Sequence, residues 1–315
     1  MVIQEENLLK GLKILVLVSG SIAAVKTPLL VSLLIKGGAE VKTVITPSAS
    51  KLVSPLSLAT LSRSKCFQDK DQWDPSQHKP LHIDLAEWAD IITVAPLTAS
   101  TLARWVSGLG DNLIASLLLA FEGPVVVAAA MNTAMWGNSY VKKNWKEIKN
   151  DPNVLCLSPT AGVLACDRLG DGKMAEPELI ELAIKNCKLQ IEKYGSLQKD
   201  LKGLNILVTA GPTKESIDPA RVITNQSSGR MGVLIAQAAR FRGAKVELVH
   251  GPLDIPNAWL EGLKIREIET AEEMQMILQK GQNNFDALIM AAAIADFKAK
   301  NGAAKEKANK KNLLQ

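Results

Sequence analysis

Apolar and polar positions follow two periods along this chain, and the switches between them mark its elements. Residues 13–18, KILVLV, are an apolar run with β-branched members, the pattern of a strand buried on both faces. Residues 21–36 carry apolar positions at helical spacing and stop at Gly37-Gly38. Residues 40–45, EVKTVI, alternate as a strand does, which completes a βαβ unit. The alternation continues: strand at 91–95, helix at 99–120, strand at 125–130, helix at 139–149, and a charged helix from 176 toward 202. Strands alternating with helices predict a mostly parallel sheet covered on both faces.

The pattern then starts again. GLKILVLVS at 11–19 is echoed by GLNILVTA at 203–210. From there the chain reads as strand to 210, helix 228–242, strand 245–250, helix 271–281 and strand 287–293. With 315 residues, two domains are expected: 1–190, a linker at 191–202, and 203–315. Three parallel strands make a poor core, so the second domain reads as incomplete within this chain.

Composition narrows the picture. A net charge of +5 suits anionic small molecules, and no Lys/Arg stripe is interleaved with aromatics, which argues against nucleic acid. The four cysteines form no CxxC pair and there are three histidines, so metal-ligand spacing is absent and reduced thiols in a cytoplasmic protein are expected. Both long apolar stretches are interrupted, at Gly20-Ser21 and at Glu122-Gly123-Pro124, which argues against a signal core or a membrane span.

Ligands of parallel sheets gather beyond the carboxyl ends of strands. Four such ends carry chemistry. After the first strand, Gly20 permits a tight turn, and the amides of Ser21 and Ile22 open a helix that suits a phosphate. Thr46 and Ser48 follow the second strand, either as a helix cap or as ligand contacts. Thr98 follows the next strand and is equally open. Asn132, between Met131 and Met135, is either a turn or cap residue or a donor aimed at a substrate carboxylate. His82, in LHIDLAEWAD, stands just before a short helix with Asp84 or Glu87 near enough to orient an imidazole. A glycine-punctuated stretch at 161–177 carries Cys166 and reads as a flap.

Taken in order, GSIAA, HIDLAEWAD, APLTA, MNTAMW and GVLAC…GKMAEP resemble the flavin-dependent cysteine decarboxylases. With GLNILVTAGPT, DPARVITNQSSGRMG and AAAIADF added, the chain resembles the bifunctional decarboxylase–ligase family of bacterial coenzyme A biosynthesis, from about residue 11 to about 311. The resemblance implies a flavodoxin-like or Rossmann-like decarboxylase domain followed by part of a second Rossmann-like domain. It places Gly20, Ser21, Ile22, Ser48, Thr98 and Met131 against FMN. It makes His82 a base or electrostatic guide, Asn132 the holder of the substrate carboxylate, and Cys166 a proton donor. Ala129, Asp167 and Lys173 depart from the family pattern; Lys173 in place of Arg loses bidentate geometry. The implied reaction converts 4′-phosphopantothenoylcysteine to 4′-phosphopantetheine: oxidation to a thioaldehyde lets the C=S group accept the electrons released with carbon dioxide, and the enethiol is then reduced.

For the second half, Gly211, Ser227, Ser228 and Gly229 form a phosphate-cradle pattern with Arg221 and Arg230 close by in sequence. The resemblance implies that CTP and Mg²⁺ activate 4′-phosphopantothenate for attack by cysteine. It gives Asn225 a role at the acyl-cytidylate, with Arg221 as companion, and assigns Met290, Ala291, Ala292 and Asp296 to the nucleotide. Lys307 best matches the motif lysine, with Lys310 and Lys311 as alternatives. Because the family continues past the last residue here, a competent decarboxylase and a doubtful ligase are expected. A homo-oligomer built on trimers, up to a dodecamer, is implied as well. Two other readings compete. A nicotinamide dehydrogenase lacks its glycine fingerprint here, and a non-catalytic flavin-binding regulator would have lost His82, Asn132 or Cys166.

Overall fold

A computed structural model of the chain describes residues 8–163, 169–281 and 284–298, and the fold divides into two compact units between Gln198 and Lys199. In the first unit, six parallel strands are ordered β3-β2-β1-β4-β5-β6: β1 (Lys13–Val18), β2 (Glu40–Ile45), β3 (Cys66–Phe67), β4 (Ile91–Leu97), β5 (Val125–Ala129) and β6 (Val154–Leu157). All seven residues of β4 and all five of β5 are buried, because helices cover both faces. On one face Leu15, Leu17, Ile92 and Val127 pack with Leu113 and Leu117 of α5 (Leu113–Ala120) and with Trp145 of α7 (Ser139–Asn150). The other helices of this unit are α1 (Thr27–Lys36), α2 (Pro55–Ser62), α3 (Leu81–Trp88), α4 (Ala99–Val106), α6 (Thr133–Gly137) and α8 (Pro177–Tyr194). The strand order reverses between β1 and β4, the switch point at which open parallel sheets hold ligands.

Several expectations need correction. The helix read over 21–36 begins as a 3-10 turn, Ile22–Lys26, capped by Ser21, and becomes α-helical only at Thr27. The helix read over 99–120 is two helices, because Gly108 (φ +68) turns the chain and Asn112 caps a new start. The stretch read as a flap, 161–177, is described only at its ends. Its ends pair as an antiparallel hairpin, β7 (Thr160–Val163) with β8 (Leu169–Lys173). Cys166 and Asp167 lie outside the described residues. The stretch read as a linker is ordered at both ends. Helix α8 runs to Tyr194 before Gly195 closes it in the left-handed region. Asp200 pairs with Arg242, whose Nε lies 2.8 Å away.

The second unit holds four parallel strands rather than three, ordered β13-β12-β9-β14: β9 (Asn205–Ala210), β12 (Lys245–His250), β13 (Lys264–Glu267) and β14 (Ala287–Met290). The missed strand, KIRE, is an exposed edge whose charges conceal it; Lys264 and Arg266 both pair with the buried Glu247 beside them. A short hairpin, β10 (Lys214–Ser216) with β11 (Val222–Thr224), precedes α9 (Arg230–Phe241), and α10 (Ala271–Gly281) precedes β14. Val233 and Ala236 of α9 cover one face of this sheet, and Met274 of α10 the other.

Candidate functional site

In the first unit, the loops after β1, β2, β4 and β5 surround a cavity of ≈ 560 Å³. Its wall after β1 is Gly20 and Ser21, and facing it after β2 are Thr46, Pro47 and Ser48. Gly20 is required by space: a Cβ there would lie 2.4 Å from the Cβ of Ser48. Loops after β4 and β5 contribute Thr98–Thr101 and Ala130–Asn132.

Buried hydroxyls organise the switch point. Ser19 Oγ donates to the Pro96 carbonyl at 2.7 Å and accepts the Thr98 N–H at 3.1 Å. Thr98 Oγ1 caps α4 by accepting the Thr101 N–H at 3.4 Å. Asn112 Oδ1 caps α5 by accepting the Ala115 N–H at 2.9 Å, and Asn132 Oδ1 accepts the Ala134 N–H at 2.9 Å. Helix starts therefore converge on the cavity, and their exposed N–H groups favour an anion there. Charge is mixed at the rim, where Arg104 Nε meets Asp111 Oδ1 at 3.0 Å and Asp69 Oδ1 accepts the Leu113 N–H at 2.9 Å.

The cavity gathers Gly20, Ser21, Ser48, Thr98, Met131 and Asn132 from four separate stretches of sequence. Ile22 is half-exposed and does not line it. His82 does not line it either. It is the second residue of α3; of the two carboxylates expected near it, Glu87 pairs with Lys79 and Asp84 is exposed. The sequence reading missed Asp69, Arg104, Asp111 and Asn112. A cap signal before the apolar run of α5 was available for Asn112, whereas Asp69 reaches the site only through the fold.

In the second unit, Asn225 is brought to the loop after β14. Its Nδ2 donates to the carbonyls of Ala293 at 3.2 Å and Ile294 at 2.9 Å. The start of this loop is pinned to the end of β9, since Thr209 Oγ1 accepts the N–H groups of Ala291 and Ala292, both at 3.2 Å. Met290 ends β14 and is exposed, as is Asp296. Gly211, Gly229 and Gly251 pack backbone to backbone: a Cβ on Gly229 would lie 3.1 Å from Gly211 N, and one on Gly251 would lie 1.7 Å from the Pro212 carbonyl oxygen. Arg221 sits apart, on the β10–β11 turn. There its Nη2 lies 2.6 Å from Asp218, whose carboxyl is held below its usual range first by the Ala220 N–H and then by Arg221 itself. Lys307, Lys310 and Lys311 lie outside the described residues. A cavity of ≈ 460 Å³ at the strand starts, lined by Lys245, Glu247, Lys264 and Arg266, contains none of the candidate residues. Among the described residues, no His/Cys/Asp/Glu group could hold a metal, no helix is long and apolar enough to cross a membrane, and Cys66, Cys156 and Cys187 form no disulfide. Burial pushes the Cys187 thiol up to about 12, so it is an inert core group.

The Flavoprotein family model matches residues 2–187, and the DNA/pantothenate metabolism flavoprotein C-terminal domain matches residues 201–315. The Coenzyme A biosynthesis bifunctional protein CoaBC of Bacillus subtilis (strain 168) is 38% identical over 298 residues, which is 93% of this chain and 70% of that protein. The protein of the same name from Borreliella burgdorferi is 37% identical over 307 residues, 97% of this chain and 75% of its own length. Among solved structures, a PPC decarboxylase cysteine-to-serine mutant complexed with pantothenoylaminoethenethiol has a TM-score of 0.52 and 33% identity, covering 56% of this chain and 97% of that one. The FMN binding protein AtHal3 has a TM-score of 0.51 and 34% identity, covering 56% and 96%. With both family models on consecutive halves and such identity along nearly its whole length, the chain belongs to the bifunctional flavoprotein family of coenzyme A biosynthesis.

Proposed function

We propose that the first unit decarboxylates 4′-phosphopantothenoylcysteine to 4′-phosphopantetheine with FMN in the cavity between β1 and β4, and that the second unit carries the CTP- and Mg²⁺-dependent ligation of 4′-phosphopantothenate to cysteine. The observation that carries this is the gathering of Gly20, Ser21, Ser48, Thr98, Met131 and Asn132 around one cavity. The residues fit the group. The volume falls within the ~300–1,000 Å³ of small-molecule sites, Gly20 leaves no room for a side chain, and the helix starts offer N–H groups to a phosphate. When bound, FMN supplies the two-electron oxidation and return that decarboxylation of a cysteinyl acid needs.

The chain's own residues bind and orient. Ser21 and Thr98, on the loops after the adjacent strands β1 and β4, would hold the phosphate end of the cofactor. Asn132, at the cavity wall with its oxygen on the α6 cap, would meet the substrate carboxylate through its amide. His82 lies outside the cavity of its own chain, so its role as base or guide belongs to the cavity of a second copy, in keeping with a trimer-based assembly. In the second unit, Asn225 acts on the loop of Ala291, Ala292 and Asp296, which meets the nucleotide.

Two measurements test this reading. Purified protein reconstituted with FMN should show an oxidised-flavin spectrum and release carbon dioxide from 4′-phosphopantothenoylcysteine. Absence of both overturns the decarboxylase assignment. For the second unit, CMP should form from CTP only when cysteine, 4′-phosphopantothenate and Mg²⁺ are all present, and formation without the acid or without metal refutes the ligase chemistry.

A further inference from the structure

Glu176 stands where β8 gives way to α8. It occupies the N-cap position of α8, yet its side chain makes no cap bond. The carboxylate is turned instead to two lysines that are far away in sequence or on the neighbouring strand. Lys26 Nζ donates to Oε1 at 2.8 Å and to Oε2 at 2.7 Å, and Lys173 Nζ lies 2.5 Å from Oε1. Burial pushes this carboxyl up, but the hydrogen bonds from Lys173 and Lys26 outweigh it and hold the group below the usual carboxylate range. Charge-assisted bonds of this kind are about twice as strong as neutral ones.

None of the three residues lines the cavity, yet each lysine leads to one of its walls. Lys26 ends the 3-10 turn that Ser21 caps, directly after Gly20. Lys173 ends β8, where the Gly172 carbonyl accepts the Met131 N–H at 3.1 Å, next to Asn132. Gly170 of the same strand sits against Thr133, where a Cβ would lie 2.4 Å from Thr133 Oγ1. One carboxylate thus ties the wall after β1 to the wall after β5, two strands separated in the sheet by β4.

We propose that Glu176 is a positioning residue of this cavity: through Lys26 and Lys173 it fixes the distance between the Ser21 wall and the Met131–Asn132 wall while touching no reactant. The inference rests on the decarboxylase reading. Without the charge, two lysines drawn together by a common partner repel each other, and Asn132 loses its placement against Ser21. A displacement near 1 Å at a reacting group costs on the order of 100-fold in rate.

The test compares flavin-loaded wild type, Glu176→Gln and the charge-keeping Glu176→Asp. For Glu176→Gln, the flavin spectrum should be retained while kcat/KM for carbon dioxide release falls about 10-fold or more. Wild-type kcat/KM should fall with added KCl, because the three side chains are 26–34% exposed and so partly screened. In Glu176→Gln the fall with KCl should flatten or reverse, because salt screens the repulsion between Lys26 and Lys173, and it should return in part, with some activity, in Glu176→Asp. A merely structural cap residue would lower the Tm without changing the salt response. Wild-type kcat/KM and salt dependence in Glu176→Gln overturn the proposal. Should that variant not hold flavin, Lys173→Met decides: it leaves Lys26–Glu176 intact and must itself lower kcat/KM and blunt the salt response, and wild-type values refute the bridge. If the wild type releases no carbon dioxide, the functional reading fails. The bridge is then still judged by hydrogen exchange at the Met131 amide, which must speed up in Glu176→Gln.

Discussion

Replacing Gly20 by alanine adds one methyl group where the loops after β1 and β2 meet at the wall of the cavity proposed to hold flavin. The new Cβ would sit 2.4 Å from the Cβ of Ser48, 3.3 Å from its carbonyl carbon and 3.4 Å from Ala49 N. Relaxed carbon–carbon contacts are about 3.5–4.0 Å, so the loops after β1 and β2 must separate by roughly 1 Å or more. No side-chain rotation relieves the clash, because Ser48 Cβ is fixed to the backbone. The loop resists as well: Thr46 Oγ1 accepts the Ala49 N–H at 3.2 Å, and Ser50 N donates to the Thr46 carbonyl at 3.0 Å. Overpacking of this kind costs about 1–3 kcal/mol. In the apoprotein the loops relax apart, whereas the flavin complex needs them at their original separation. The cost therefore falls on binding, as about a 5- to 150-fold weaker Kd. Titration of apoprotein with FMN, followed by quenching of flavin fluorescence, measures it directly. A Kd within twofold of wild type would refute both the cavity assignment and the steric reasoning.

Other substitutions probe separate parts of the machinery. Ser19→Ala removes a buried donor from the Pro96 carbonyl and a partner from Thr98, and should cost about 1–3 kcal/mol of stability, read as a shifted urea midpoint with unchanged m-value. Asn132→Asp keeps a good cap, so the Tm should hold within a few degrees. It brings a negative charge to the substrate carboxylate, worth about 4 kcal/mol at 4 Å in a medium of effective dielectric 20, so carbon dioxide release should fall about 1,000-fold; turnover within tenfold of wild type would remove Asn132 from the mechanism. Asn225→Asp cannot donate to the carbonyls of Ala293 and Ile294. Hydrogen exchange should rise at the Ala291 and Ala292 amides, and CMP formation should fall, while unaltered exchange would show that the loop does not depend on this side chain.

Much of the front site is legible in sequence because parallel sheets confine ligands to strand ends. Once 13–18, 91–95 and 125–130 read as buried strands, Gly20, Thr98 and Asn132 are located close after strand ends before any contact is known. What escapes is what depends on tertiary pairing. Glu176 and Lys26 lie 150 residues apart, and in sequence Glu176 looks like an ordinary helix-start acid. The edge strand β13 hides because all four of its residues are exposed and its charges, two of which pair with Glu247, break the apolar pattern of a strand. His82 was placed by motif before a helix and lies within one; motif position says which residue is used, and only packing says which cavity receives it.

The two candidate asparagines show why residue identity underdetermines role. Asn132 and Asn225 both follow a strand and both precede a glycine-bearing helix or loop, and from sequence both read as polar amides aimed at an anion. In the fold they use opposite ends. Asn132 accepts the Ala134 N–H with its oxygen, and an amide N–H is the kind of group that suits a negative partner. Asn225 commits its nitrogen to the carbonyls of Ala293 and Ile294, one hydrogen to each. Its remaining polar atom is an oxygen, which accepts and would repel the phosphate of an acyl nucleotide. With this geometry, the role proposed for Asn225 is to shape the loop of Ala291 to Asp296. A direct bond to the nucleotide phosphate would require that loop to let go of the amide first, exchanging two backbone hydrogen bonds for one to the ligand. Only a charge-assisted bond about twice as strong as each one lost would make that exchange even, so the proposed role leaves the amide with the loop and assigns the phosphate to main-chain N–H groups and cations.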